Sequence, residues 1–544
     1  MKKIIAMSMA LVMLLLTLTG MLTACRGDDV TPPDDTPTPA EPEKFGYADD
    51  FSYYQELVMN PDKHLYVYNR TETLTNEETV LAEAIQGIYA RTGAKYYRYS
   101  NDAYATWLDD MIEHYGFTAE DISLSEMVAG FIRDYGNQYV LYDWQGLAES
   151  INSACTIAGA LDYLPVDVTL REKAEGWGLT LGVDASQMTE KACFTAYKDK
   201  LSNTGLVQQS AGNIRLRDYG IACRYFFFYR AGQETEDMMF RGQVQGWVEE
   251  NSPVFGWGPN EEAEHVTVSS QYGQFTIPSD HCFNMSVFAC RAAFGGVDFT
   301  QSAKTSGVRA EAGKHYVCIM MSDGDNVQTW YNTFPFNSKY FGAERGDFPM
   351  GWSVQPSLSD LGPNVLGYLK RNAGAKDYFV CSVSGQGYMY PQIYPDLKGF
   401  TQGLSAYLRR TDLSVVQILD SGYSAKVVEA YAQIPELKGA IYCYGDKYVA
   451  GNGSVYWSNG KPFVAIRETL WNANVEAMAE RINGYAKDPT TIEGYTAINL
   501  HPWSMSYQDV VKLVELLDDD VVIVTADDFI QLITENVPKT DVVR

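Results

Sequence analysis

Apolar and polar positions alternate most regularly in the C-terminal part of the chain. From Tyr316 onward eight apolar runs of four to six residues recur: Tyr316 to Met321, Met350 to Val354, Tyr378 to Val383, Val415 to Leu419, Ala440 to Tyr444, Phe463 to Ile466, Thr496 to Leu500 and Val521 to Thr525. Each has the length of a buried strand. Between several of them the apolar period lengthens to that of a helix. Val475, Met478, Ala479 and Ile482 share one face, as do Val510, Leu513, Val514 and Leu517 after a cap at Ser506. Eight strands separated by crossovers predict a (β/α)8-like barrel of the TIM type, and a seven-stranded or distorted barrel fits the same pattern.

The preceding half reads as an α/β region. His64 to Tyr68 has strand character, and Thr75 with Glu78 forms a capping box ahead of a helix that carries Leu81, Ile85 and Ile88 and ends near Gly93. Lys95 to Tyr99 and Tyr139 to Tyr142 read as further strands. Beyond Gly178 the pattern is less regular; the turn Gly256, Trp257, Gly258, Pro259 and a strand at Val266 to Ser270 suggest a further small domain. The polar stretch Thr300 to Lys314 marks the boundary. The expected layout is an N-terminal α/β region over residues 45–310, divisible into two or more subdomains, and a barrel over residues 311–544.

The N-terminus has a different pattern. Lys2 and Lys3 precede an apolar stretch from Ala10 to Leu16, which closes at Leu22, Thr23, Ala24, Cys25. This is the layout of a cleaved secretory signal, and a cysteine just after such a site resembles the bacterial lipobox. The stretch is shorter than the roughly 20 apolar residues of a spanning helix. Lipidation of Cys25, export and anchoring to the outer side of a bacterial membrane are therefore expected. Residues 26–43, rich in Asp, Pro and Thr, cannot form a core and read as an extended tether.

Composition narrows the partners. The formal charge is −27, or −29 without Lys2 and Lys3. That excess repels phosphate backbones and excludes nucleic acid as a natural partner. The 38 Tyr and 10 Trp residues suit flat amphipathic molecules such as sugar rings, although most must serve packing. Eight cysteines follow Cys25. Cys318, Cys381 and Cys443 lie in apolar runs, where a buried free thiol is expected. No CxxC or paired Cys/His spacing indicates a metal, and neither metal nor cofactor is expected.

In a barrel of this kind functional groups emerge at the carboxyl ends of the strands, and polar residues gather there. The first run ends in Ser322, Asp323, Gly324, Asp325, Asn326; the third in Ser384 to Pro391; the fourth in Asp420; the fifth in Tyr444 and Asp446. The sixth ends in Arg467 and Glu468, the seventh in His501 and Trp503, the eighth in Asp527 and Asp528. The Asp323 cluster is not a calcium loop, since Val327 stands where an oxygen ligand would fall. Glu468 beside Arg467 reads equally as a catalytic carboxylate or a structural ion pair, and Asp527 and Asp528 read as caps of the last helix.

The run Gly385, Gln386, Gly387, Tyr388, Met389, Tyr390, Pro391 matches GxGYxYP at every position. The chain thereby resembles the GxGYxYP family of bacterial proteins, classed by inference as glycoside hydrolases. The segments Ser322 to Asn326, His501 to Trp503 and Gly256 to Pro259 share the resemblance. So do Gln86, Gly87 and Arg91, and Pro278, Ser279, Asp280 and Asn284. It implies α/β domains in front, a barrel-like domain behind, and carbohydrate as substrate.

The resulting expectation is a surface-anchored glycoside hydrolase that uses two carboxylates as acid and as nucleophile or base. Asp323 or Asp325 would act with Glu468. Asn326, Gln386, Tyr388, Tyr390, Asp446, Arg467, His501 and Trp503 would bind substrate. The alternatives are a non-catalytic glycan-binding lipoprotein and a metal-dependent carbohydrate deacetylase; the latter normally needs two histidines at helical spacing, which none of the six provides.

Overall fold

The computed structural model describes residues 45–230 and 235–544. The leader, Cys25 and the tether lie outside the described residues. The α/β region contains three parallel sheets. Strands β1 (His64–Tyr68), β2 (Tyr96–Arg98) and β3 (Thr118–Asp121) pair in the order β2-β1-β3. Strands β4 (Gln138–Tyr142), β5 (Leu164–Asp167) and β6 (Thr180–Asp184) pair as β5-β4-β6. Strands β7 (Leu206–Gln208), β8 (Phe226–Phe228), β9 (Ser252–Gly256) and β10 (Gln274–Ile277) pair as β10-β9-β7-β8, which leaves β10 on an edge. Parallel neighbours need crossover connections, so strands and helices alternate throughout.

The helix Asn76–Tyr89 opens with the predicted Thr75–Glu78 capping box. It is not a surface helix, because every residue from Glu78 to Tyr89 is buried. A Cβ at Gly87 would lie 2.2 Å from the Asp218 carbonyl oxygen. The Gln86 amide nitrogen reaches Asp218, Asn284 and Ser286 at 3.1–3.3 Å, and Arg91 donates to the carbonyls of Ile221 and Ala222. Gln86, Gly87, Arg91 and Asn284 thus tie the first sheet to the third.

One sequence expectation is overturned in this region. Val266 to Ser270 is not a strand but part of the helix Glu262–Gln271. Its β-branched residues suggested a strand, yet His265, Val266, Ser269 and Ser270 form a buried face at helical spacing. Ser269 and Ser270 return their hydroxyls to the carbonyls of His265 and Val266, and Glu262 and Glu264 suit the positive end of a helix. Packing overrides local preference here.

The C-terminal region is one curled sheet. Its strands are β11 (His315–Met321), β12 (Met350–Val354), β13 (Asp377–Cys381), β14 (Val415–Asp420), β15 (Gly439–Tyr444), β16 (Val455–Ser458), β17 (Lys461–Ala465), β18 (Glu468–Leu470), β19 (Tyr495–Leu500) and β20 (Val521–Val524). The pairing path runs β16-β17-β15-β14-β13-β12-β11-β19-β18, parallel except for the β16/β17 hairpin. Only Ile466 and Arg467 separate β17 from β18. The Ile466 N–H donates to Tyr442 O at 3.3 Å and the Arg467 N–H to Ala497 O at 3.1 Å. Strand β18, at one end of the path, and β17, next to the β16 end, therefore lie on one run of chain, and the sheet curls into a distorted barrel. Strand β20 pairs with β11 only over His315–Cys318, while β12 meets β11 further along at Met320. The eighth run is consequently an addition beside β11, not a full stave.

Tyr316, Cys318, Met320, Val380, Ile441, Cys443, Val464, Ile466 and Ala497 form the barrel interior, joined by Phe529, Ile530 and Ile533 of the helix Ala526–Asn536. This last helix lies under the amino ends of the strands. A Cβ at Gly439, the first residue of β15, would meet Ile530, and Asp527 accepts from Ser414 and Lys438. Asp528 accepts from the Ser306 N–H and hydroxyl. With the lower end stopped, the mouth at the carboxyl ends is the open one. All eight described cysteines are free and buried, and no described helix is long and apolar enough to cross a membrane.

Candidate active site at the barrel mouth

The loop leaving β11 builds one wall. The Ser322 N–H donates to Leu500 O at 2.9 Å, extending the strand ladder by one step. The chain then turns sharply. Asp323 takes a left-handed conformation, φ 64°, a costly choice for a non-glycine residue. At Gly324 a Cβ would sit 1.8 Å from Ser353 O, so only glycine can pass that close to β12. The turn is held by Gly324 N–H donating to Ser353 Oγ at 3.0 Å and by Trp330 Nε1 donating to Gly324 O at 3.2 Å. Asp323 and Asp325 both end up lining a cavity of about 200 Å³.

The two carboxyls have different surroundings. Asp323 accepts from the Ser322 hydroxyl and, at 3.1 Å, from Trp503 Nε1. Asp325 is 3 % exposed, and among the described residues no side chain donates to its carboxyl. Burial, with the charges of Asp323 and Glu262 added, pushes the Asp325 pKa well above the carboxylate range. Burial also raises Asp323, opposed by its two donors. Of the two, Asp325 is thus the carboxyl whose surroundings most favour the protonated form.

The opposite wall comes from the α/β region and is carried by the GxGYxYP run. The Tyr388 N–H and C=O exchange 2.8 Å hydrogen bonds with Thr276, so the run docks through a single antiparallel bridge on β10, the open edge of the third sheet. Gly387 is needed for this approach, since a Cβ would lie 2.2 Å from the Phe275 ring. Docking brings the Tyr388 hydroxyl to Glu262, to which it donates at 2.6 Å. Glu262, in the first turn of its helix, stands at the cleft mouth with one side in solvent. The atoms packed around its carboxyl raise its pKa, the Asp323 charge adds to this, and the Tyr388 hydrogen bond opposes it. Trp257 and Tyr448 complete the aromatic lining.

The structure thus brings Asp323, Asp325, Asn326, Tyr388 and Trp503 to one cleft, together with Glu262, Trp257 and Tyr448, which the sequence reading did not name as site residues. Glu262 follows the conspicuous Gly256–Pro259 turn, but an acid at a helix start reads as a dipole partner.

Four candidates are elsewhere. Glu468 is buried against Arg481, which grips it at 2.7 and 3.0 Å, and also accepts from the Tyr485 hydroxyl. It pairs in register with Ile498, an outer-core residue, and so faces away from the barrel interior. Arg467 lies over the Tyr485 ring, 3.6 Å from its centroid, and bonds to Glu493. Gln386 is fully buried and donates to Phe400 O at 3.1 Å. Asp446 is exposed on the loop after β15 and does not line the cleft.

Two more candidates stand beside the cavity. Tyr390 contacts Tyr388 edge to face at 5.9 Å. His501 stacks on Trp471 at 3.7 Å, bonds to Ser504 through Nδ1 at 2.9 Å, and is pushed down by burial to about 4, so the ring is neutral at pH 7. Among the described residues no three His, Cys, Asp or Glu side chains are placed to hold a metal ion.

A distorted barrel with a carboxylate-lined mouth, completed by an α/β domain, has the layout of barrel proteins whose sites sit at the carboxyl ends of the strands. Comparison with known families names it. Residues 313–534 match the model described as "GxGYxYP putative glycoside hydrolase C-terminal domain", residues 203–290 the GxGYxYP third domain, and residues 64–131 the GxGYxYP first domain. The chain is built from GxGYxYP family domains. It is also similar to a crystal structure described as a putative hydrolase from Bacteroides thetaiotaomicron, at 25 % identity and a TM-score of 0.81, covering 91 % of this chain and 99 % of that one. No curated protein matches the chain.

Proposed function

We propose that this protein is an exported, lipid-anchored glycoside hydrolase that cleaves external poly- or oligosaccharide with two carboxyl groups from different domains. The observation that carries the reading is the buried Asp325, whose pKa is pushed up by burial and by the charge of Asp323, in a cleft that also exposes the Tyr388-bound Glu262. Asp325 would protonate the glycosidic oxygen. Glu262, ionised and oriented by the Tyr388 hydroxyl, would act as nucleophile or as base on water. Asp323 would keep its negative charge beside Asp325, holding the acid protonated, and would fix Trp503 at the rim. Trp257, Tyr448 and Trp503 offer ring surfaces to a sugar. Cys25 would keep the cleft outside the permeability barrier, where large polymers are met.

The test is a screen of the mature protein against 4-nitrophenyl glycosides and oligosaccharides, followed by Asp325→Asn and Glu262→Gln on any substrate found. Hydrolysis lost in both variants supports the reading. Glycan binding without turnover, unaltered by either substitution, contradicts it and indicates a capture protein. Incorporation of labelled fatty acid that disappears in Cys25→Ser tests the anchor.

A further inference from the structure

The cleft does not end at the catalytic carboxyls. A second cavity, of about 640 Å³, shares Glu262, Tyr388, Leu419 and Tyr448 with the first and continues past them to Tyr390, Asp420 and Trp471. Asp420 ends β14 and is 2 % exposed. Each of its oxygens accepts one backbone N–H, from Ser421 at 2.8 Å and from Gln392 at 2.9 Å. Its remaining lone pairs are free for hydroxyl or ammonium donors. Burial raises it to about 6, so it is anionic at neutral pH. Tyr390 and Trp471 supply aromatic surface nearby.

Among the described residues no lysine or arginine lines either cavity. The lining carboxyls are Glu261, Glu262, Asp280, Asp323, Asp325 and Asp420, and His501 beside them is neutral at pH 7. His281 also lines the first cavity, paired with Asp280 at 3.3 Å, and Lys447 bonds to the Trp471 carbonyl at 3.5 Å behind the second. With carboxyls outnumbering these basic groups, a glycan bearing carboxylate, sulfate or phosphate would still meet mainly like charge. A neutral sugar, or one with a free amino group, would meet acceptors and ring faces.

We propose that the two cavities form one groove that takes a glycan of at least two units without anionic substituents. The unit beyond the cleavage point hydrogen-bonds Asp420 and lies against Tyr390 and Trp471. This rests on the hydrolase reading for the position of the cleaved bond, but the groove can be tested by binding alone.

The probe is a glycan array carrying neutral, amino-sugar, uronate and sulfated oligosaccharides of one to six units, applied to the Asp325→Asn protein so that nothing is cleaved. Expected is binding to neutral or amino-sugar chains, at least tenfold tighter for two or more units than for one. Adding Asp420→Asn, with an unchanged circular dichroism spectrum, should reduce this length preference at least fivefold. Should that variant fail to fold, Trp471→Ala gives the same readout. Preference for uronate or sulfated chains, affinity independent of length, or no binding at all would overturn the proposal. Length-dependent binding of glycans that the unsubstituted protein never cleaves would overturn the hydrolase reading and leave the groove standing. Cleavage of anionic glycans would do the reverse.

Discussion

The loop after β11 and the β17–β18 run look alike as sequence, each an apolar run that breaks into charged residues, yet they do opposite things. After β11 the chain folds over the open end of the barrel and delivers Asp325 into a cavity where, among the described residues, no side chain donates to its carboxyl. At β18 the carboxylate of Glu468 is held outside the barrel, gripped by Arg481 of the helix Val475–Asn483. Register decides between them. Glu468 pairs with Ile498, which packs in the outer core, whereas Ala497 next to it lines the interior. A polar strand end is therefore a candidate site only when the parity of the strand points it inward. A buried carboxyl that no side chain donates to and one with a bidentate partner are then different chemical objects: burial favours the protonated form of the first, and the second ties strand to helix.

The largest effect that would sharpen this contrast is on the far wall. Glu262→Gln keeps shape and the Tyr388 contact but removes the charge, and should lower kcat by about 10²–10⁴, the range for a positioned acid or base. A loss under threefold would remove Glu262 from the mechanism.

Next is the junction that places Glu262. Gly387→Ala puts a methyl group 2.2 Å from Phe275. It should cost about 1–3 kcal/mol of overpacking, measured by urea unfolding, and weaken activity because it moves the Tyr388 segment. An unchanged midpoint would mean that the third sheet yields freely there.

A smaller effect separates the two carboxyls by stability. Folding raises the Asp325 pKa, so between the ordinary carboxylate value near 4 and the raised one the unfolded chain is ionised while the folded chain keeps its proton. Stability from this group is therefore lost as pH rises through that window. Asp325→Asn should raise Tm by about 2 °C or more at pH 7 and by less toward pH 4; a fall in Tm at pH 7 would show a structural partner for the carboxyl. The smallest effect is expected at Glu468→Gln, which should cost about 1–2 kcal/mol, the lower value favoured because Arg481 is half exposed.

Much of the barrel was legible because buried parallel strands leave short apolar runs and helices leave a different period. The runs from Tyr316, Met350, Tyr378, Val415, Ala440, Phe463, Thr496 and Val521 all became strands. Periodicity could not show that β20 would lie beside β11 or that the last helix would turn beneath the barrel, since both follow from packing across the whole sheet. Asp323 and Asp325 were legible for a local reason, a tight Gly-containing turn at a strand end. Glu262 was not, because its place depends on a contact between β10 and the Tyr388 segment more than a hundred residues later. The GxGYxYP run stood out as a ligand loop, but its Gly387 serves domain docking and its Gln386 bonds to the Phe400 carbonyl, while Tyr388 reaches the first cavity and Tyr388 and Tyr390 the second. The expectation of a cleaved signal and a lipid on Cys25 rests on the order of residues from Lys2 to Cys25, and its test is chemical.

The most direct test of the contrast between the two strand ends is to measure kcat/KM for Asp325→Asn and Glu468→Gln side by side on one substrate. The structure predicts a loss of at least about a hundredfold for Asp325→Asn and a change of less than about threefold for Glu468→Gln. The opposite ranking would contradict it.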